Sequence, residues 1–186
     1  MPAAIRIKGS AFLQLLHSYG EAHGAPFRAS VIARVRGPGG DALRQNAILA
    51  SAMFPIDWYV SMLRASADLS GGGLSFTREM GHRSATRDLG TINRFVFRVL
   101  SVDTIVHHIP RIISLYYDGG RGELLSHEDG RMRAQFRDFV GFDEHAWHDF
   151  AGGCEAMVEA TGVASVRSRF VRGGVADRAE LEITYR

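Results

Sequence analysis

Cysteine is nearly absent from this sequence of 186 residues, and long apolar runs are missing altogether. Cys154 is the single cysteine, so a scaffold of intramolecular disulfides is excluded. No apolar segment approaches the ~20 residues that a membrane-spanning helix needs. Residues 1–6 also lack the apolar core of a signal peptide. These absences predict a cytoplasmic protein with no membrane span.

Lysine is equally scarce, because Lys8 is the only lysine among 22 lysines and arginines. The formal net charge is only +2, and the arginines are spread along the chain rather than concentrated in one segment. Several arginines alternate with apolar residues in the last third of the chain, where Glu180 and Glu182 can lie opposite them. This pattern predicts a solvated sheet face that neutralises itself, and nucleic acid is not an expected partner.

The overall composition is that of a globular domain, with 46% hydrophobic and 23% charged residues. We find no internal repeat, no low-complexity segment and no linker. We therefore predict one domain over residues 1–186, with a helical part at about 1–118 and a sheet-plus-helix part at about 119–186.

Apolar residues at helical spacing predict helices through most of the first part. Residues 3–9 alternate instead and predict a short edge strand. We expect a glycine-rich loop at 36–40, a polar link at 84–88 and a helix at 91–100.

The hydrophobic period changes from helical to alternating after residue 120. Asp143 is a suitable N-cap for a long helix that ends near Thr161. Alternation on either side of this helix predicts two hairpins, with strands at 122–127, 131–137, 163–171 and 179–185. The predicted fold class is α+β: an N-terminal helical half followed by an antiparallel sheet of about four strands packed on one long helix.

Glu144, His145, His148 and Asp149 form an acidic and histidine-rich cluster at the start of that helix. Their i,i+3 and i,i+4 spacing is compatible with a metal site, for which His145 and His148 are the weak alternative ligands. Acidic residues in a first helical turn also complement the helix dipole, and histidines often lie on a solvated face. We therefore expect no metal.

His107 and His108 lie in a strongly apolar stretch and are candidate ligand-binding residues. Adjacent helical residues point about 100° apart, so at most one of the pair can face the interior. A buried neutral imidazole can bind haem iron, accept a hydrogen bond from a ligand, or simply bond to a carbonyl group.

Gly152, Gly153 and Cys154 interrupt the long helix with two small residues and a thiol. Glycine within a helix costs about 1 kcal/mol relative to alanine, so the pair predicts close approach of another backbone or of a bound molecule. We favour contact between this helix and the sheet over a ligand, because close packing is the commonest reason for such a glycine. Cys154 lacks any local nucleophile signature, and free cysteine usually behaves as a small buried hydrophobe.

Short motifs along the chain carry a family resemblance. They occur at residues 7–12, at 54–59, at 80–83 and from Arg111 to Gly120, followed by the glycine-bearing helix and the final hairpin. With these motifs the sequence resembles an uncharacterised paralogous family expanded in myxobacteria. That family is similar in layout to haem–nitric-oxide-binding domains, four-vinyl-reductase-like domains and the core subunits of vesicle-tethering complexes.

The resemblance implies a bacterial α+β sensor or scaffold that is not an enzyme. The haem-binding branch has a proximal histidine and a Tyr-x-Ser-x-Arg motif, and here Tyr116 begins a Tyr-Tyr-Asp-Gly-Gly-Arg segment without the serine. We therefore expect no cofactor, with haem as the weak alternative.

Two functional hypotheses follow, with a third behind them. The first is a non-enzymatic sensory or regulatory module that holds a small apolar ligand between helices and sheet, at His107, His108, Tyr116, Gly152, Gly153 and Cys154. The second is a protein-interaction scaffold without a small ligand, forming a homodimer or binding another protein. The third is a haem-based sensor.

Overall fold

The helical part of the chain begins with a strand that leads directly into a long helix. The structure is a computed structural model that describes residues 3–92 and 101–186. The elements of this part are β1 (Arg6–Lys8), α1 (Gly9–Arg34), α2 (Gly37–Arg44), β2 (Met53–Pro55), α3 (Ile56–Ser70), α4 (Gly73–Ile92), α5 (Val102–His107) and α6 (Ile109–Tyr116).

The second part is a four-stranded antiparallel sheet with one helix between its two hairpins. Its elements are β3 (Arg121–Glu128), β4 (Arg131–Arg137), α7 (Glu144–Glu159), β5 (Arg167–Gly173) and β6 (Ala179–Thr184). The strand order is β3-β4-β6-β5, so β3 and β5 form the two edges of the sheet. The predicted α+β class, with a helical half and a four-stranded sheet, is confirmed.

Two local predictions in the helical part were wrong. The expected loop at 36–40 is the start of α2, because Pro38 occupies the first turn, where its missing N–H costs nothing. The expected polar link at 84–88 lies inside α4, which continues to Ile92. Packing against α7 overrides the polar character of this segment. The helix predicted at 91–100 falls mostly outside the described residues.

The first strand joins the helical part to the sheet part. Ile7 pairs with Phe54 of β2 and also forms a bridge to Tyr117, just after α6. The Arg6 side chain donates to Asp118 over 2.5 Å, and the Ile5 amide donates to the carbonyl oxygen of Val140 over 3.0 Å. The start of the chain therefore lies between the two parts and bonds to both.

The outer face of the sheet carries the expected arginine and glutamate pairs. Arg131 and Arg169 both bond to Glu182, and Arg133 bonds to Glu180. The face neutralises itself as predicted, but the expectation that it is solvated was wrong for the two glutamates, since Glu180 is only 7% exposed and Glu182 only 4%. The arginine side chains extend over the carboxylates and cover them, and these hydrogen bonds lower the pKa of Glu182.

Helix α7 lies between α4 and the sheet and carries the largest buried side chain, Trp147. It begins as the sequence predicted: the Asp143 carboxylate accepts a hydrogen bond from the Ala146 amide over 2.9 Å. Asp143 also pairs with Arg64 of α3 over 2.7 Å, so the cap ties α7 to the helical part. No helix within residues 3–92 and 101–186 has both the length and the apolarity to cross a membrane.

Candidate functional site

An internal cavity of about 150 Å³ lies between the inner face of the sheet and the helices. Its floor is formed by the inward-facing residues of β4 and β6, and these are Met132, Ala134, Phe136, Leu181 and Ile183. Strict alternation along the two strands places all five on one face. The same alternation of residues that predicted the strands therefore places apolar side chains on the floor of the cavity.

The other walls come from helices of both parts of the chain. Helix α7 contributes Phe150, Gly153, Cys154 and Met157, and α6 with the residue after it contributes Ile112, Ile113, Tyr116 and Tyr117. Ile7, Ala11 and Gln14 close the cavity from β1 and α1, while Tyr59 and Gly81 do so from α3 and α4. A molecule in this space would touch nearly every layer of the fold.

Close contact between α4 and α7 determines the shape of one wall. A methyl group at Gly152 would lie 2.1 Å from the carbonyl oxygen of Arg78, and one at Gly81 would lie 2.3 Å from that of Asp149. The two helices therefore pack backbone to backbone at these glycines. The sequence predicted such an approach for the Gly152–Gly153 pair but favoured the sheet as the neighbour. The structure shows that the neighbour of Gly152 is another helix.

Gly153 differs from Gly152 although the two are adjacent. A methyl group at Gly153 would meet only the Cβ atom of Ala85, at 3.8 Å, and Gly153 lines the cavity. One glycine thus permits helix packing, and the other leaves the cavity open.

At one end of the cavity the polar groups have partners. The Tyr116 hydroxyl donates to Asp88, and the Gln14 amide lies 3.4 Å from the same carboxylate. Desolvation and the bond to Asp88 raise the pKa of the Tyr116 hydroxyl. Tyr116 therefore lines the cavity as a neutral phenol held in place by a carboxylate.

At the other end a carboxyl group is only half satisfied. Asp149 is 8% exposed and lines the cavity, and its Oδ2 atom accepts a hydrogen bond from the Tyr59 hydroxyl over 3.1 Å. Its Oδ1 atom is buried and has no hydrogen-bond partner within the described ranges. Burial raises the pKa of Asp149 to about 7, although the bond from Tyr59 opposes the shift.

Cys154 lines the cavity as a buried thiol. Burial raises its pKa to about 12, and the nearby Glu155 carboxylate adds to the shift. A thiol with so high a pKa is protonated at neutral pH and is a poor nucleophile. No histidine lines the cavity within the described part of the chain, so Cys154 has no histidine partner there.

His107 and His108, the two histidines in the predicted ligand-binding set, lie outside the cavity lining. Both are exposed, and the Nδ1 atom of His107 lies 2.6 Å from the carbonyl oxygen of Asp103. His108 occupies the junction between α5 and α6. The apolar residues around the pair, Ile105 and Ile113, are the ones that turn inward. The structure thus brings together Tyr116, Gly153 and Cys154 but separates them from the two histidines and from Gly152.

His145 and His148, the alternative metal ligands, make other contacts. The Nδ1 atom of His145 lies 3.1 Å from the Thr77 hydroxyl, and the His148 ring packs against Phe170 with 5.3 Å between ring centres. Within residues 3–92 and 101–186, no three histidine, cysteine, aspartate or glutamate side chains are grouped as metal ligands would be.

Comparison with known proteins identifies the fold. No family model and no curated protein matches the sequence. Solved structures do match over almost the whole chain. An Fe(II) unliganded H-NOX protein from K. algicida has a TM-score of 0.70 at 9% identity, with 96% of each chain covered. The chain has the fold of the H-NOX proteins.

Two further structures support this assignment. An H-NOX protein from S. oneidensis in the Fe(II)NO ligation state has a TM-score of 0.72 at 9% identity and covers 96% of this chain and 99% of its own. A structure solved to examine how porphyrin distortion modulates haem redox potential has a TM-score of 0.65 at 11% identity, with 95% and 99% covered.

These comparisons correct two expectations. The layout expected from the resemblance, that of haem–nitric-oxide-binding domains, is confirmed, but the myxobacterial paralogous family is not supported because no family model matches. The expectation that no cofactor is involved is contradicted, since the fold is shared with proteins described by their iron ligation or haem chemistry.

The described residues of the cavity meet only part of what a haem group requires. The position between helices and sheet and the apolar lining suit a porphyrin, but no histidine lines the described wall. The volume of about 150 Å³ is also below the range of about 300–1,000 Å³ typical of pockets that enclose larger ligands. The cavity, as the structure shows it, does not fit a haem held by histidine.

Sequence reasoning missed Asp149 and Tyr59 as site residues. Asp149 was grouped with Glu144, His145 and His148 as a cluster compatible with a metal site. It is instead buried, three residues after Ala146 on the buried side of α7. An acidic residue at the spacing of an apolar stripe was the signal that could have found it. The hydrogen bond between Tyr59 and Asp149 could not be read from the sequence.

Proposed function

We propose that this chain is a non-enzymatic sensory module that binds a small, mostly apolar molecule in its internal cavity. The observation that carries the proposal is the cavity itself, which is lined mostly by apolar side chains from the sheet and from helices of both parts. Such lining with a few polar groups at the ends is typical of small-molecule sites.

A ligand at this position would link elements that are distant in sequence. It would contact α1, α4, α6, α7 and the floor of the sheet at once, and therefore stabilise one arrangement of these elements over others. A sensory module needs this coupling between occupancy and arrangement. The protonated state of Cys154 and the lack of a nearby histidine favour binding over covalent catalysis.

Benzene is a suitable first probe, because a dry apolar cavity of about 150 Å³ in another protein is known to bind it. We expect benzene to raise the melting temperature Tm of this protein by a few degrees near saturation, as binding to the folded state alone requires. In an NMR titration with benzene, the chemical shifts of all methyl groups at the cavity should change and give one common dissociation constant.

Gly153→Leu tests the location of the site. The leucine side chain would project into open space at the cavity and fill it, so we expect benzene affinity to fall at least tenfold in a variant that remains folded. Met157→Leu, on the same helix and wall, nearly conserves side-chain volume and should retain binding. Equal affinity in the two folded variants would place the site elsewhere.

Haem-based sensing is the second candidate, and it is favoured by the shared fold alone, since no histidine lines the described wall and the cavity is small. Haem binding would supply an iron centre for a gas ligand. Titration with hemin tests it: a Soret band that saturates at one equivalent supports haem as the cofactor. The His107→Ala/His108→Ala variant shows whether these exposed histidines hold the iron, because the band would then shift or disappear.

A further inference from the structure

The buried carboxyl group of Asp149 has one oxygen atom with a partner and one without. Oδ2 accepts from the Tyr59 hydroxyl, whereas Oδ1 has no partner within the described ranges, although the residue is only 8% exposed. An unpaired polar atom inside a protein is costly, and most such atoms are satisfied by protein, water or a ligand. A functional site is one reason for a protein to retain such an atom.

Among the described residues, none supplies Oδ1 of Asp149 with a hydrogen-bond partner, and none forms an ion pair with this carboxyl group. Oδ1 lies 2.8 Å from the position that a Cβ atom would take at Gly81 of α4, a residue that has no side chain and also lines the cavity. Tyr117 and Cys154 also line the cavity, and neither donates a hydrogen bond to Asp149. The open direction for a donor is therefore the cavity that Asp149 lines.

We propose that the ligand of this cavity is a small apolar alcohol or phenol whose hydroxyl group hydrogen-bonds to Oδ1 of Asp149. The inference rests on the proposed function and specifies its ligand class. The apolar body of the ligand lies against the sheet floor, Phe150 and Met157. Tyr59 holds Oδ2 and so orients the carboxyl group toward the ligand.

A hydroxyl group suits this site better than a charged group. It can donate to a carboxylate and accept from a carboxylic acid, so it satisfies Oδ1 in both protonation states of Asp149. An ammonium group would bring three N–H donors to a mostly apolar wall, where Oδ1 is the one buried side-chain oxygen without a partner among the described residues. A carboxylate ligand would be repelled by ionised Asp149. The second carboxylate at the cavity, Asp88, is already bonded to Tyr116.

The size of the cavity limits the ligand to about one ring. A volume of about 150 Å³ equals that of an engineered apolar cavity that accepts benzene. Phenol and benzene therefore form the matched probe pair, and fluorobenzene, close to phenol in shape but without an O–H, is the third probe.

The test measures the affinity of all three probes by calorimetry in the full chain and in Tyr59→Phe/Asp149→Leu. The double variant removes the carboxyl group without leaving the Tyr59 hydroxyl unpaired. In the original protein we expect phenol to bind more tightly than fluorobenzene. In the double variant the phenol-to-benzene affinity ratio should fall about tenfold, the loss that one hydrogen bond of ordinary strength gives, while benzene still binds.

A second measurement needs no folded double variant. Phenol, but not benzene, should shift the carboxyl ¹³C resonance of Asp149, assigned with Asp149→Asn. If benzene binds but the phenol-to-benzene ratio is the same in both proteins, or phenol leaves that resonance unmoved, the hydroxyl inference is overturned and the cavity remains a ligand site. If none of the three probes binds the original protein, the proposed function itself fails and this inference falls with it.

Discussion

At the residue scale, Asp149 is the most unusual group in the molecule. It is a carboxyl group in a cavity wall that also contains Phe150 and the tyrosines Tyr59 and Tyr117. Burial raises the pKa values of both phenols, and the charge of Asp149 adds to the shift. Desolvation has the largest effect on the pKa of Asp149 and raises it from 3.8 to about 7. The charged form is thus the costly one, and the protein is stabilised when Asp149 is protonated.

The pH dependence of stability follows from this shift. Between pH 4 and about pH 7 the folded state binds a proton at Asp149 that the unfolded state has lost, so stability decreases as pH rises through this window. Asp149→Asn removes this titration and keeps an acceptor for Tyr59. We expect the variant to be more stable than the original protein above pH 7, by up to about 4 kcal/mol, and the difference to vanish near pH 4.

Urea denaturation from pH 4 to pH 8 measures this effect. Asp129→Asn, at an exposed turn position, is the matched control and should run parallel to the original protein at every pH. If the stability of Asp149→Asn also runs parallel to that of the original protein from pH 4 to pH 8, the pKa of Asp149 is not raised in the folded protein.

At the element scale, the contact between α4 and α7 has a strict steric requirement. A methyl group at Gly152 would lie 2.1 Å from the carbonyl oxygen of Arg78 and 2.8 Å from the amide nitrogen of His82. Both neighbours are backbone atoms of a helix, and neither can move without displacing the helix.

Alanine at the two adjacent glycines should therefore have opposite effects. We expect Gly152→Ala to lower the free energy of unfolding by about 2–3 kcal/mol, in the upper range of overpacking effects. Gly153→Ala should be neutral or raise it by up to about 1 kcal/mol, because alanine favours the helix and meets only Ala85.

Denaturant unfolding of the two single variants is a direct comparison, since both lie on one helix and gain the same methyl group. A similar loss of stability in both would mean that helix α7 tolerates no side chain at either position, and would contradict the distinction drawn between the packing glycine and the cavity glycine.

Elements with a clear hydrophobic period were predictable, whereas those without one were not. The alternation of Met132, Ala134 and Phe136 with arginines and glutamine fixed strand β4, and the Asp143 cap fixed the start of α7. Helix α4 was predicted too short, because residues 84–88 are polar and gain helical structure from packing against α7 rather than from their own pattern.

At the scale of the whole molecule, the first strand makes the two parts interdependent. Ile5 and Ile7 are buried between them, and Asp118 accepts from both the amide and the side chain of Arg6. A single domain over residues 1–186 stays a prediction, as do self-association and a cytoplasmic location. The first of these can be tested directly, because each part contains one tryptophan.

We expect the two parts to unfold in a single transition. Trp58 of α3 reports on the helical part and Trp147 of α7 on the sheet part. In the Trp147→Phe variant, the urea midpoint from Trp58 fluorescence should equal the midpoint from far-UV circular dichroism. In the Trp58→Phe variant, the midpoint from Trp147 fluorescence should likewise equal that from circular dichroism. Separate midpoints within either variant would show that the parts unfold independently.

The fold class, the two hairpins, the cap of α7 and the small residues at a close approach could all be read from the amino-acid sequence. These features depend on neighbouring residues along the chain, whose spacing is readable. Other features became visible in the three-dimensional structure. Gly152 packs against another helix whereas Gly153 lines the cavity, and His107 and His108 lie outside the cavity lining. Asp149 bonds to Tyr59, which is 90 positions away in the sequence. Such contacts depend on how α3, α4 and α7 pack together, and no local pattern specifies that packing.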